Sequence, residues 1–257
     1  MNSLNKIHKN AKIGKNFKID SFSSIHEDVE IGDNCWIGSN VTIFPGTRIG
    51  SNCQIYPGAV IGGAPQHIQF NGEKSRVEIG SNCIIRECVT INKATQPNKQ
   101  TIVGHNCFLM AYSHVAHDCI LHNNIILANG VAIAGHVEIQ KGAIIGGLAA
   151  IQQFTKIGQF SMVSGGSLVR KNVPPFIKVA KEPLRFIGIN RIGLERNKFE
   201  NERIENISNM YRVLFQEGNN ISKAIELIEK KSENSIDKDT IITFIKNSKT
   251  GIIKGFY

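Results

Sequence analysis

Isoleucine recurs at every sixth position from Ile7 to Ile61, ten times without an exception. The register resumes at Ile79, Ile85 and Ile91, and again from Val103 through Leu109, Val115, Leu121, Leu127, Ile133, Ile139, Ile145, Ile151 and Ile157 to Val163 and Val169. A period of six fits neither an amphipathic helix nor an alternating strand; it predicts a parallel β-helix of short strands and tight corners. Glycine often follows the aliphatic residue, as at Gly14, Gly32, Gly50, Gly80 and Gly104, and is expected to let the chain turn there. A second set of positions, two before each aliphatic residue, holds small or apolar side chains such as Val29, Val41, Ala59 and Val131. Cys35, Cys53, Cys83, Cys107 and Cys119 belong to it, so five of the six cysteines read as small buried hydrophobes in a reducing compartment rather than disulfides or metal ligands.

Two polar, turn-rich segments interrupt the period, at about 62–76 and 93–101, and are expected to project as loops that can carry binding groups. After Val173 the period stops at Pro174 and Pro175. A helical pattern follows from about Asn201 to Gln216, ended by Gly218, with shorter candidates at 221–232 and 237–247. The expected organisation is thus a β-helix over 1–173 and a small helical domain over 174–257.

Composition narrows the function classes. The chain is 41% hydrophobic with a net charge of +9 spread over both segments, which suits anionic small molecules or an acidic protein better than nucleic acid. The N-terminal residues are polar and no segment reaches bilayer-spanning length, so a cytoplasmic protein is expected.

The stretch AYSHVAHDCILHNN, residues 111–124, concentrates His114, His117, His122, Asp118 and Cys119. The six-residue pattern resembles the hexapeptide-repeat acyltransferases. That resemblance implies a left-handed parallel β-helix, a triangular prism of eighteen-residue coils, and a homotrimer about a threefold axis. On such coils His117 lies below Gly135 and Gly135 below Gln153, Asp118 lies below His136, and His114 sits near the same corner. Three readings compete. His117 and His122 resemble the zinc-ligand pair of γ-class carbonic anhydrases; the imidazoles could instead be structural caps in a non-catalytic trimeric scaffold; or His117 is a general base oriented by Asp118, with the Gly135 N–H as oxyanion donor, an arrangement suited to acyl transfer.

HVAHD (114–118), IAGH (133–136), Gln153–Phe154, NVPP (172–175) and INRIGLERNKF (189–199) are closely similar to the UDP-N-acetylglucosamine O-acyltransferase family, which opens lipid A biosynthesis. The resemblance implies transfer of a 3-hydroxyacyl group from acyl carrier protein, where it rides on phosphopantetheine, to the 3-position of the nucleotide sugar, with no bound cofactor or metal. By the same resemblance His117, Asp118 and Gly135 are catalytic, and His114, His136 and Gln153 contact the sugar and diphosphate. Asn190 and Arg196 are expected to hold the nucleotide or the carrier's phosphopantetheine, and Gly165, lacking a side chain, to leave room for a long acyl chain. His67 and Gln69 stand where the family usually has Asp and Lys, Asn92 and Gln152 where it often has His, Ile192 where it has Glu, and Asn197 where it has a second Arg. These departures bear on the acceptor, and a 3-amino sugar giving an amide is the alternative they raise. The related N-acyltransferase carries an extra N-terminal domain, which a repeat opening at Ile7 is not expected to accommodate.

Overall fold

The structure is a computed structural model that describes residues 4–255, so residues 1–3 and 256–257 of the two expected segments lie outside the described residues. Short strands, most of them two residues long, alternate among three sheets of nine, eight and ten strands. The first rung is Lys6–Ile7, Lys12–Ile13 and Lys18–Ile19, one strand per sheet, each with an exposed lysine. We call the sheets first, second and third in that order. Partners within a sheet are parallel and in register, Ile7 with Ile25 and Val115 with Ile133, so one full coil takes 18 residues.

Two rungs are longer. Ile61 pairs with Ile91, a step of 30 residues, and Ile91 with Val115, a step of 24, so the first loop inserts 30 − 18 = 12 residues and the second 24 − 18 = 6. Because both insertions are multiples of six, the aliphatic column is undisturbed: Ile61, Ile91, Val115 and Ile133 are each at most 1% exposed. Side chains of one column stack at the inter-strand spacing of about 4.8 Å, and close packing of β-branched residues at that distance is the main source of the fold's stability.

The corners correct one expectation. The left-handed backbone conformation falls three residues after the aliphatic position, at Asn16, Asn34, Asn52, Asn82 and Asn106 on the edge between the second and third sheets, and at Asp118 and His136 between the first and second. Asparagine tolerates this conformation better than most residues, and here it also builds a ladder. Asn16, Asn34, Asn52 and Asn82 each donate Nδ2–H to the Oδ1 of the asparagine one rung on, at 2.9 to 3.2 Å. The glycines after the aliphatic residues serve a different need, except at Gly62, where φ is +77°. A Cβ on Gly80 would lie 2.7 Å from the Gly104 carbonyl carbon and 2.7 Å from the His105 nitrogen. Glycine there permits one rung to approach the next, and the turn is made two residues later.

The five cysteines of the second position set are buried, and all six thiols are free. Cys35, Cys53, Cys83 and Cys107 stand in one column, each thiol donating to a backbone carbonyl of the next rung at 3.0 to 3.2 Å.

The coil does not end at Val173. Val173 bridges to Ile157, Phe176 takes a left-handed corner (φ 66°) with its ring fully buried, and Ile177–Ala180 pairs with Met162–Val163 before Arg185–Ile189 returns antiparallel. The six-residue spacing shortens before the prolines, where Val173 follows Val169 by four residues, so Ile157 to Val173 and Val163 to Val179 are each steps of 16; across Pro174 and Pro175 the step from Val173 to Val179 is again six. Four helices follow: α1 (Arg191–Arg196), which the sequence pattern did not predict, α2 (Asn201–Phe215), α3 (Ile221–Lys231) and α4 (Ile236–Lys246). Asn220 and Ser235 cap α3 and α4 by accepting the amide N–H groups of Lys223 and Lys238. The buried Tyr211 of α2 donates its hydroxyl to the Pro175 carbonyl at 2.6 Å, and Asn172 bridges to Ile252, so the helices are tied to the last coil. No helix among the described residues is long and apolar enough to cross a membrane.

Replacing Gly80 with alanine forces its Cβ into the backbone of the next rung. We expect a loss of about 1–3 kcal/mol, the range for overpacking a filled site, measured as a lower urea midpoint than wild type.

Candidate functional site

His117 lies on the edge between the first and second sheets, two residues past Val115, and is only 6% exposed. The rung above places Gly135 directly against it. A Cβ added to Gly135 would meet the His117 ring at 2.3 Å (Cε1) and 2.7 Å (Nε2), so the imidazole occupies the space that any side chain at 135 would need. The backbone closes the pair, His136 N–H donating to the His117 carbonyl at 3.0 Å. Among the described residues, no acceptor takes the Gly135 N–H.

Asp118 follows His117 in the left-handed conformation (φ 60°), which turns its carboxylate back toward the neighbouring ring. Its Oδ2 lies 2.8 Å from His117 Nδ1 and 3.7 Å from His136 Nε2. It also accepts from the Thr95 hydroxyl at 2.8 Å and from the Thr95 amide at 3.2 Å, while the Asp118 N–H donates to Thr101 Oγ1 at 2.8 Å. Burial pushes the Asp118 carboxyl up, but the Thr95 and His117 hydrogen bonds and the positive potential of His136 outweigh it, and the group is held below the usual carboxylate range. An ionised Asp118 accepts the Nδ1 proton of His117, which leaves the Nε2 lone pair as the available base.

Other rings gather around this pair. His136 packs edge-on to His117 at 5.2 Å and stacks on Phe154 at 4.8 Å; His67, carried in by the first loop, packs edge-on to the other side of His117 at 5.4 Å. His114 points outward from the strand His114–Val115, and its Nδ1 meets the Thr90 hydroxyl at 2.6 Å. Burial lowers the His114 pKa, helped by the nearby His117; burial also lowers that of His136, with His117 and His67 adding to the effect and Asp118 opposing it. Gln153 is exposed one rung above Gly135, and Gln69 is exposed on the first loop. Asn92 is 6% exposed, donates Nδ2–H to the Ala64 carbonyl at 2.9 Å at the root of that loop, and keeps an unpaired Oδ1.

Three expected residues lie elsewhere in the chain. Asn190 and Arg196 line a groove of about 410 Å³ against the third sheet with Ile144, Met162, Lys178 and Arg191, across the prism from His117. The Asn190 side chain is also committed to the fold, donating to the Phe160 carbonyl at 2.9 Å. Gly165 occupies the edge between the third and first sheets, where a Cβ would meet the Gly147 carbonyl oxygen at 3.0 Å. A single chain therefore unites His117, Asp118, Gly135, His136, His114 and His67, but not the nucleotide-holding or chain-length candidates.

Sequence reasoning missed Thr95, Thr101, Thr90 and Arg191. Counting rungs could have found Thr101, seventeen residues before Asp118, but not Thr95, because the second loop leaves the register.

His117, Asp118 and His136 offer atoms within 4.8 Å of one another, the spacing of a cation site. Their geometry is already spent on hydrogen bonds, since the Asp118 Oδ2 facing both rings also accepts the Thr95 hydroxyl. His122 sits on a different edge, its Nε2 3.4 Å from Glu138, so the carbonic-anhydrase-like pair does not converge in the chain.

Comparison with known proteins agrees with this geometry. The bacterial transferase hexapeptide profile (six repeats) matches residues 10–45, 30–63 and 100–135, and that of the UDP N-acetylglucosamine O-acyltransferase, domain 2, matches 172–253. A relative from Sulfurihydrogenibium sp., named acyl-[acyl-carrier-protein]--UDP-N-acetylglucosamine O-acyltransferase, is 50% identical over 94% of this chain and 90% of its own. This chain belongs to the UDP-N-acetylglucosamine O-acyltransferase family. A relative of the same name from Aquifex aeolicus is 49% identical over 78% of this chain and 77% of its own. The crystal structure of a UDP-N-acetylglucosamine acyltransferase from Bacteroides fragilis superposes with a TM-score of 0.96 at 44% identity, covering 99% of this chain and 100% of the other. The fold is accordingly the left-handed parallel β-helix with a small helical C-terminal domain, and the protein is an acyltransferase.

Because burial lowers the His114 and His136 pKa values below that of a free imidazole, the unfolded chain binds protons more readily than the folded one. Their contribution to stability is complete above about pH 6.5 and declines as the pH falls through the lowered values. Melting temperature should drop as the pH falls below about 6.5, and His114→Gln should flatten that dependence.

Proposed function

We propose that this acyltransferase moves a long 3-hydroxyacyl chain from acyl carrier protein to the 3-hydroxyl of UDP-N-acetylglucosamine, the first step of lipid A biosynthesis. The observation that carries the reading is the His117 imidazole lying against Gly135, with Asp118 fixed on its other nitrogen. His117 Nε2 removes the proton from the sugar hydroxyl as the oxygen attacks the thioester carbonyl. The carbonyl oxygen becomes an oxyanion facing the Gly135 N–H, and collapse of the tetrahedral adduct expels the phosphopantetheine sulfur, which takes the proton back from His117. Asp118 keeps Nδ1 protonated throughout and stabilises the transient imidazolium. The acceptor attacks directly, so no enzyme nucleophile and no bound cofactor is required.

His136, His114 and Gln153 surround the acceptor on the edge carrying His117, with His67, Gln69 and Asn92 at the mouth formed by the first loop. Arg196 and Lys178, beside Asn190 on the third sheet, suit the phosphates of the nucleotide or the carrier's prosthetic arm. A homotrimer about a threefold axis completes the site by bringing the third-sheet face of one chain toward the His117 edge of the next. The positive net charge favours the acidic carrier, and a cytoplasmic location gives access to both substrates.

The decisive experiment supplies defined 3-hydroxyacyl-carrier thioesters with the 3-hydroxyl and the 3-amino UDP-sugar and identifies products by mass. An ester of the 3-hydroxyl sugar is expected; an amide alone, or no transfer, defeats the reading. His117→Ala should lower kcat by about 10²–10⁴-fold, the usual share of a general base, with melting temperature and oligomeric state retained. Gly165→Met should shift preference to shorter acyl chains in competition assays with mixed thioesters.

A further inference from the structure

The second loop departs from the coil just below the catalytic edge, and its end residues converge on one side chain. Thr95, near its start, gives Asp118 two hydrogen bonds, from its hydroxyl at 2.8 Å and from its amide at 3.2 Å. Thr101, where the coil resumes, is fully buried and accepts the Asp118 N–H at 2.8 Å. The carboxylate and the backbone of Asp118, which sits at a left-handed corner (φ 60°), are thus both held from the same insertion. Asp118 Oδ2 is the atom that His117 Nδ1 binds, and the same atom takes the Thr95 hydroxyl.

We infer that Thr95 is a positioning residue for acyl transfer: it anchors the Asp118 carboxylate and thereby sets the orientation of the His117 base. The inference rests on the proposed function. Its consequence is that the second loop acts on the chemistry through Asp118 and not by gripping substrate. Of the loop's residues Thr95 is half-buried, and the tip from Gln96 to Lys99 is exposed. Threonine suits the task because one short side chain and its own amide can grip a single carboxylate together, and charge-assisted bonds of this kind are stronger than neutral ones.

The test uses the full chain with acyl-carrier thioester and UDP-sugar. Thr95→Val keeps the shape and removes the hydroxyl; kcat should fall about tenfold, as expected for a charge-assisted hydrogen bond of ordinary strength, with KM for both substrates and the melting temperature within error of wild type. Thr95→Ser, which restores the hydroxyl, should recover most of the loss. In an Asp118→Ala background the Thr95→Val change should have no further effect, since a residue acting through another loses its influence when that other is gone. If Thr95→Val raises KM instead, if serine does not rescue, or if the two changes multiply, the inference is overturned while the proposed function stands. Should Thr95→Val lower the melting temperature, the Thr95→Ser rescue and the combination of Thr95→Ala with Asp118→Ala decide in the same way. Absence of transfer by the wild-type chain overturns the proposed function and the inference with it.

Discussion

Everything in this molecule depends on rungs eighteen residues apart being able to touch. Two features make that approach possible. Branched aliphatic side chains stack on themselves inside the prism, and glycine backbones such as Gly80 and Gly104 meet outside it with no side chain between them. The hydrogen bonds between rungs follow from that spacing, including those of the asparagine ladder. The edge that carries His117 uses the same contact in a different way. At Gly135 the space released by the missing side chain is filled by the imidazole of the rung below, so a packing rule of the fold has become the means of pressing the His117 ring against a backbone amide.

On the proposed function, this placement puts the chemistry on a β-helix edge where hydrogen bonds and packing already hold the groups in position. The donors and acceptors are fixed by ladder hydrogen bonds on both sides of His117, and the left-handed corner at Asp118 returns a carboxylate to its immediate sequence neighbour. Electrostatic preorganisation of this kind requires that the groups not rearrange as charge develops. A histidine packed between the ring of His67, the ring of His136 and the backbone of Gly135 meets that requirement.

Much of this was legible in the sequence, for one physical reason: a repeat converts separation along the chain into separation in space. Counting by eighteen put His117 under Gly135 and Asp118 under His136, and both loops fell where the counting paused. The assignment of the turn to glycine failed because the residue that bends and the residue that must be small are different, two positions apart. The strand pair after Pro175 was hidden because the register slips by two residues between Val169 and Val173, and α1 because six residues carry too little periodicity to announce a helix. Thr95 was invisible for a related reason, since the second loop reaches Asp118 by a path that no register describes. The separation of Asn190, Arg196 and Gly165 from His117 marks the remaining limit: a repeat orders positions along the chain's own axis, and these three fall on other faces of the prism.

A stack of near-identical parallel rungs has an inherent hazard, because the bare strand edges at either end are templates on which another chain can continue the stack. Here the first rung offers Lys6, Lys12 and Lys18, one ammonium on each side of the triangle, and the far end is closed by an antiparallel return and a helical cap tied on through Tyr211 and Asn172. Charged side chains on the first described rung, one of them paired with Glu30 on the next, and a cap tied to the last coil are features that disfavour end-to-end stacking. The lysines that look like solvent decoration on the first described coil are therefore charges of the kind that discourages a further strand from adding to the stack.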